Sequence, residues 1–178
     1  MAFVEGRGDV LVLRLDLEGL EDTARLGSLL AAQMRELGPF ALLMTGPLGC
    51  GKTTLSRALV GALPGGGQAE VSSPSFTLSN IYPTSPEVLH CDLYRNEGAP
   101  LPEDVAEDLA RPDVAALVEW AGFLAPADRP RDFLQLAFDI PANSCEKRRA
   151  LTMRASGARS SAALRALADA WPLRGRPA

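Results

Sequence analysis

Three cysteines are all that this 178-residue chain has, Cys50, Cys91 and Cys145, odd in number, far apart and without metal-ligand spacing. That excludes a disulfide framework and a cysteine-clustered metal centre, and it suits reduced thiols in a cytosol. A signal-peptide apolar core is missing too, since Glu5, Arg7 and Asp9 stand close to the start, and no apolar run is long enough to cross a bilayer. The expected location is cytoplasmic, with no membrane contact. There is also no global basic field: 18 Lys and Arg against 22 Asp and Glu leave a formal charge of −4, which disfavours direct binding of DNA or RNA. Nothing repeats internally. What is present is an ordinary globular composition, 47% hydrophobic and 22% charged, in a chain long enough for a substantial core. Residues 1–178 are expected to form a single domain, with 173–178, rich in Arg and Pro, as a frayed tail.

Against that background one stretch stands out. Gly46-Pro47-Leu48-Gly49-Cys50-Gly51-Lys52-Thr53 is a complete G-x-x-x-x-G-K-T phosphate loop. The apolar residues Ala41 to Met44 before it read as a buried strand, and Thr54 to Leu63 after it has a helical composition, so the required strand, loop and helix are in order. Glycines at 46, 49 and 51 let the backbone curl until several N–H groups face phosphate oxygens at the positive end of a helix. Lys52 then reaches the β- and γ-phosphates as a point charge, and the Thr53 hydroxyl is the expected ligand of a magnesium ion that keeps most of its water. Cys50 has two readings, a small filler side chain or a thiol activated by the loop amides and Lys52, of which the filler is preferred.

The rest of the chain reads as alternating strands and helices. Asp9 to Leu17 alternates in the manner of an edge strand, and Leu20 to Leu37 has helical spacing that stops at Gly38-Pro39. Phe40 to Met44 is the next strand. Ser72 to Phe76 is a polar loop. Thr77 to Tyr82 and Val88 to Tyr94 are strands whose link is too short for anything but a hairpin. Gly98 to Asp113 is part helix and part loop, Val114 to Val118 is a buried strand ending at Glu119, Asp132 to Ile140 and Arg149 to Ala155 are strands, and Ser160 to Trp171 is a final helix. The expected fold class is α/β: a P-loop NTPase-like domain with a mixed, largely parallel central sheet flanked by helices and a β-hairpin insertion.

Nucleotide hydrolysis needs carboxylates that hold magnesium and orient water. Two are offered at strand ends, Asp92 and Glu119. By themselves such residues are as often solvated turn positions, and His90, the sole histidine, is by itself more often structural. The hydroxyls of Ser73, Ser75 and Thr77 are either ordinary turn groups or a loop that senses the γ-phosphate. No Asn-Lys-x-Asp sequence is present to read guanine, which leaves adenine favoured.

Four motifs in order then carry a resemblance over nearly the whole chain. They are Gly46-x-Leu48-Gly49-x-Gly51-Lys52-Thr53-Thr54, Val71-x-Ser73-Pro74-Ser75-Phe76-Thr77-Leu78, His90-x-Asp92-Leu93-Tyr94-Arg95, and Val118-Glu119-Trp120. Together they resemble the TsaE (YjeE) family, P-loop ATPases of the bacterial tRNA threonylcarbamoyladenosine pathway. The resemblance implies an α/β protein that binds ATP and magnesium, hydrolyses ATP weakly alone, and supports modification of the adenosine beside the anticodon. It implies that this is done by binding TsaD, with TsaB, so that tRNA is met only through the complex. It further implies that Gly46, Pro47, Leu48, Gly49, Cys50, Gly51, Lys52, Thr53 and Thr54 bind the nucleotide, and that Thr53 and Glu119 bind magnesium. Asp92, Glu119 and Lys52 form the implied catalytic set, with Asp92 at the water. Ser75 belongs to a switch-like segment from Ser73 to Thr77, Trp120 packs beside the acid, Thr23 lies near the base, and Arg149 approaches the nucleotide. The chain departs from the family pattern at Pro47, Cys50, Ser75, Asn96 and Ala121-Gly122, changes that bear on partner contacts more than on nucleotide binding.

Two other readings of the same residues stay open. One is a small-molecule kinase, with arginines at 129, 131, 148 and 149 as a basic lid. The other is a binding module in which ATP selects a docking conformation and hydrolysis is incidental.

Overall fold

The computed structural model describes residues 2–7, 10–142 and 148–171; Asp9, Cys145 and the expected tail at 173–178 lie outside them. The strand before the phosphate loop, β3 (Ala41–Thr45), shows how the layers arise. Its side chains alternate: Leu42 and Met44 enter one hydrophobic cluster, Ala41 and Leu43 another on the opposite face. The first cluster is the larger. It is covered by three helices, α1 (Leu20–Leu37), α2 (Lys52–Ala62) and, later in the chain, α4 (Ala158–Ala170). Among the described residues, the second is covered by α3 (Glu103–Ala110), by the 3-10 turn at Ala121–Phe123 and by Leu124; a further 3-10 turn, Pro126–Asp128, follows without burying a residue.

The remaining strands are β1 (Ala2–Arg7), β2 (Val10–Leu17), β4 (Ser79–Tyr82), β5 (Glu87–Asp92), β6 (Val114–Glu119), β7 (Phe133–Asp139) and β8 (Arg149–Ser156). They form one eight-stranded sheet in the order β1-β2-β8-β7-β3-β6-β5-β4. Pairing is parallel through β7, β3, β6 and β5 and antiparallel on both sides of them, including the expected β4–β5 hairpin. The fold is α/β with a mixed sheet whose parallel part is its centre. Strands of that centre are buried on both faces, as in β6, where all six residues are buried, whereas β7 alternates buried and exposed positions because its outer face is open. Among the described residues no helix is long and apolar enough to cross a membrane.

Several boundaries differ from the sequence expectation. The segment read as an edge strand, β2, is second in the sheet, because Ala2–Arg7 adds a strand outside it. Helix α2 begins at Lys52, before Thr54, so the last residues of the loop motif are already helical. Strand β4 starts at Ser79 and not Thr77: Leu78 is in the left-handed region at φ 68°, and its N–H closes a turn onto the Pro74 carbonyl at 2.7 Å. Asp132 stays outside β7 because its carboxylate caps α4, accepting from the Arg159 and Ser160 amides at 2.9 and 2.8 Å.

The chain leaves β3 through α2 toward β5 on one side of the sheet and later crosses past β3 to β7 on the other. The carboxyl end of β3 therefore faces a crevice between diverging connections, the place where open α/β sheets hold ligands.

Candidate nucleotide site

At that crevice β3 runs into Gly46, whose φ of 138° is left-handed and whose hydrogen stands where a Cβ would meet the Phe138 carbonyl oxygen at 2.6 Å. Only glycine fits. Gly49 and Gly51 follow at φ 73° and 108°, and Gly51 is the residue before α2. Helices α1 and α3 carry acids in their first turns, Glu21 and Asp22 in one and Glu103 and Asp104 in the other. The first turn of α2 has no acid and no side-chain cap, so its amides are left for an external anion beside the loop amides. Lys52 is almost fully buried at 4% exposure, donating to the Gly46 and Pro47 carbonyls at 3.0 and 2.9 Å. Its ammonium lies 4.1 Å from the centre of the Trp120 ring.

Two carboxylates meet this loop from neighbouring strands, Asp92 of β5 and Glu119 of β6 being paired in the sheet register. Glu119 is 2% exposed. The Thr53 hydroxyl donates to one of its oxygens at 2.9 Å, and His90 Nε2 lies 2.9 Å from the other. Asp92 is held by a different segment. Both Ser73 and Ser75 hydroxyls donate to its Oδ2, the latter at 2.8 Å, and the Tyr94 amide donates to Oδ1 at 3.0 Å. Burial pushes the Asp92 carboxyl up, but the Ser73, Tyr94 and Ser75 hydrogen bonds and the positive potential of His90 outweigh it and hold the group below the usual aspartate range.

A cavity of about 290 Å³ joins these groups, lined by the phosphate loop, Thr53, Thr54, Ser73, Ser75, Asp92, Tyr94, Glu119 and Trp120. On the other side of the loop a cavity of about 570 Å³ is lined by Thr23, Thr54, Cys50, Arg149 and the 18–22 segment. The two share Gly49, Gly51 and Thr54. Thr23 is buried and donates to the Gly19 carbonyl at 3.2 Å, while the Arg149 guanidinium donates to the Gly49 carbonyl at 3.2 Å. The pair of cavities thus offers a phosphate compartment and a separate compartment of nucleoside size astride one loop.

The structure brings all the sequence-derived site residues to these two cavities or the loop between them: Gly46, Pro47, Leu48, Gly49, Cys50, Gly51, Lys52, Thr53, Thr54, Thr23, Ser75, Asp92, Glu119 and Arg149. Cys50 is fully buried in the main core, in accord with a filler. Arg148 pairs with Asp16 at 3.2 Å, and Arg129 and Arg131 lie at the opposite end of the sheet, so those three do not form a lid over the loop. Sequence reasoning left His90 without a role and passed over Tyr94. A signal for both existed: His90 and Asp92 are two apart on one strand and share a face, and Tyr94 stands two beyond Asp92, where its amide can donate to the Asp92 carboxylate.

Nucleotide and magnesium fit these residues. Gly49 and Gly51 have open space where a Cβ would point, and among the described residues no group of three His, Cys, Asp or Glu side chains is arranged to hold a metal ion. The available donor set is one hydroxyl and one carboxylate, the sparse oxygen ligation that suits a largely hydrated magnesium ion.

Residues 17–150 match the family model described as threonylcarbamoyl adenosine biosynthesis protein TsaE. A curated relative from Aquifex aeolicus, the tRNA threonylcarbamoyladenosine biosynthesis protein TsaE, is 34% identical over 119 residues, covering 66% of this chain and 84% of the relative. Among solved structures, Bacillus subtilis YdiB aligns with a TM-score of 0.66 at 23% identity, over 92% of this chain and 98% of that one, a likeness of fold.

Proposed function

Since this chain belongs to the TsaE family of tRNA threonylcarbamoyladenosine biosynthesis, we propose that it is a magnesium-dependent ATPase that acts with TsaD and TsaB as an accessory subunit in threonylcarbamoyl modification of the adenosine next to the anticodon. The observation that carries this reading is the convergence, on one phosphate loop, of two differently held carboxylates. A binding module alone needs the loop; hydrolysis also needs somewhere to hold a metal and somewhere to orient water.

In this reading the amides of 46–54 and Lys52 hold the phosphates, and Thr23 and Arg149 flank the nucleoside. Lys52 exchanges its two carbonyl partners for phosphate oxygens, and Trp120 limits where its ammonium can swing. Thr53 and Glu119 hold magnesium, which supplies neutralising charge to the phosphates. Glu119 is oriented by His90 on its second oxygen. Asp92 faces the same cavity and accepts an O–H of the attacking water. Its depressed proton affinity makes it a poor proton acceptor at neutral pH, so its role is orientation more than base catalysis, in keeping with the slow intrinsic turnover expected of an accessory ATPase.

The test is magnesium-dependent phosphate release by the purified chain, alone and with TsaD and TsaB, beside a Lys52→Ala control. The expected result is weak release alone, stimulation by the partners, and loss of both in the control. Tight ATP binding without release, and full pathway activity with a non-hydrolysable analogue, would instead make the protein a nucleotide-gated binding module.

A further inference from the structure

An apolar opening separate from the nucleotide site lies at the other end of the same strands. A cavity of about 580 Å³ sits where β3 and β6 begin, between α3 and the Pro126–Asp128 turn, over the thinly covered face of the sheet. Its floor and walls are Phe40, Ala41, Ala106, Leu109, Val114 and Ala116. Small residues at 41, 106 and 116 leave the space that larger side chains would have filled, and the volume is that of a small organic ligand.

Its rim is arginine-rich in a chain of net negative charge. Arg111, Arg129, Arg131 and Arg159 face it, against Asp128 and Asp132. Most of these charges are spoken for. Arg111 is tied to Glu87, Asp108 and Asp113, Arg159 donates to the Pro39 carbonyl, and Asp132 caps α4. Arg129 and Arg131 are exposed and have no hydrogen-bond or ion-pair partner among the described residues, with Asp128 the one carboxylate of the lining not engaged by another side chain or amide. Two planar guanidiniums two residues apart, over an apolar slot, match a carboxylate or phosphate carried on an apolar body.

We propose that this slot is a second ligand site, for a small amphiphilic organic anion whose apolar body lies along Ala41, Ala106, Leu109 and Ala116 and whose acidic head is held by Arg129 and Arg131. It is independent of the nucleotide reading. The span of β3, five residues, separates the two sites by about 13 Å, so both are filled together without competition.

Methyl-labelled protein titrated with octanoate and with octyl phosphate, followed by NMR, tests this. The expected result is saturable shifts confined to Ala41, Ala106, Leu109, Val114 and Ala116, unchanged by ATP, with the tighter of the two ligands naming the head group. Inorganic phosphate alone and hexanol alone bind much more weakly than either, since each lacks half of the recognition. An R129Q/R131Q double variant, whose exposed positions leave the fold intact, weakens binding about tenfold or more, and Ala106→Leu blocks the slot with the arginines in place. Absence of saturable shifts, shifts centred on Leu48 and Leu78, displacement by ATP, or equal affinity in the double variant would overturn the proposal.

Discussion

Asp92 and Glu119 sit side by side in the sheet, yet they are held by different parts of the chain. Glu119 is gripped by regular structure, Thr53 at the start of α2 and His90 one strand over. Asp92 is gripped by a turn, through Ser73 and Ser75, and that turn carries Phe76, which is 87% exposed under the Arg95 guanidinium. One carboxylate is thus tied to the phosphate loop itself and the other to a surface segment that a partner can reach. On the proposed function, the difference would separate a fixed task, holding a metal, from an adjustable one, orienting water. It also offers a physical route for partner stimulation: docking on the Phe76 turn would reset Asp92 without touching Glu119.

The largest effect should come from a change that disables both halves. Lys52→Ala removes the one side-chain cation that lines the phosphate compartment among the described residues and is expected to weaken ATP binding about 100-fold, measured by calorimetry. Next, Ser73→Ala with Ser75→Ala leaves Asp92 in place but frees it from the turn. Turnover is expected to fall about tenfold with ATP affinity nearly unchanged. The partners' stimulation should suffer more than basal rate, as a comparison of kcat with and without TsaD and TsaB would reveal. If the double variant instead lost ATP binding, the two carboxylates would not be separately held.

The smallest effect is on stability. The folded Asp92 carboxyl titrates below its ordinary value, so the stabilisation it brings is fully present above the usual aspartate pKa of about 3.9 and is lost as pH falls through the lower folded value. Asp92→Asn should therefore be less stable than the unaltered chain at pH 7, with the gap narrowing below about pH 3.9, as urea melts at neutral and acid pH would show. Cys91 gives an internal control. Burial, reinforced by Asp108, pushes its thiol up to about 12, so it should resist alkylation at pH 8 until the chain unfolds.

Much of this arrangement was legible before any coordinates. The phosphate loop fixed where β3 ends because its glycines serve one backbone shape, and periodicity of 3.6 marked α1 to the residue at Leu20–Leu37. The carboxylates at 92 and 119 could be read as strand-end acids because their strands are short apolar runs. What stayed hidden was cross-strand: register decides that Asp92 faces Glu119 and that His90 lies diagonal to it, and no local pattern encodes register. The Ser73 turn was seen as a loop, but its grip on Asp92 spans 19 positions of sequence. The strand outside β2 was missed because Ala2–Arg7, with its charges and Gly6, lacks a clear alternation.

A magnesium titration of ATP hydrolysis by Glu119→Gln and Asp92→Asn tests the division of labour between the two acids most directly. The account predicts that Glu119→Gln raises the magnesium concentration needed for half-maximal rate, whereas Asp92→Asn lowers the maximal rate at an unchanged magnesium requirement. A shift of the magnesium requirement in both variants, or in Asp92→Asn alone, would contradict it.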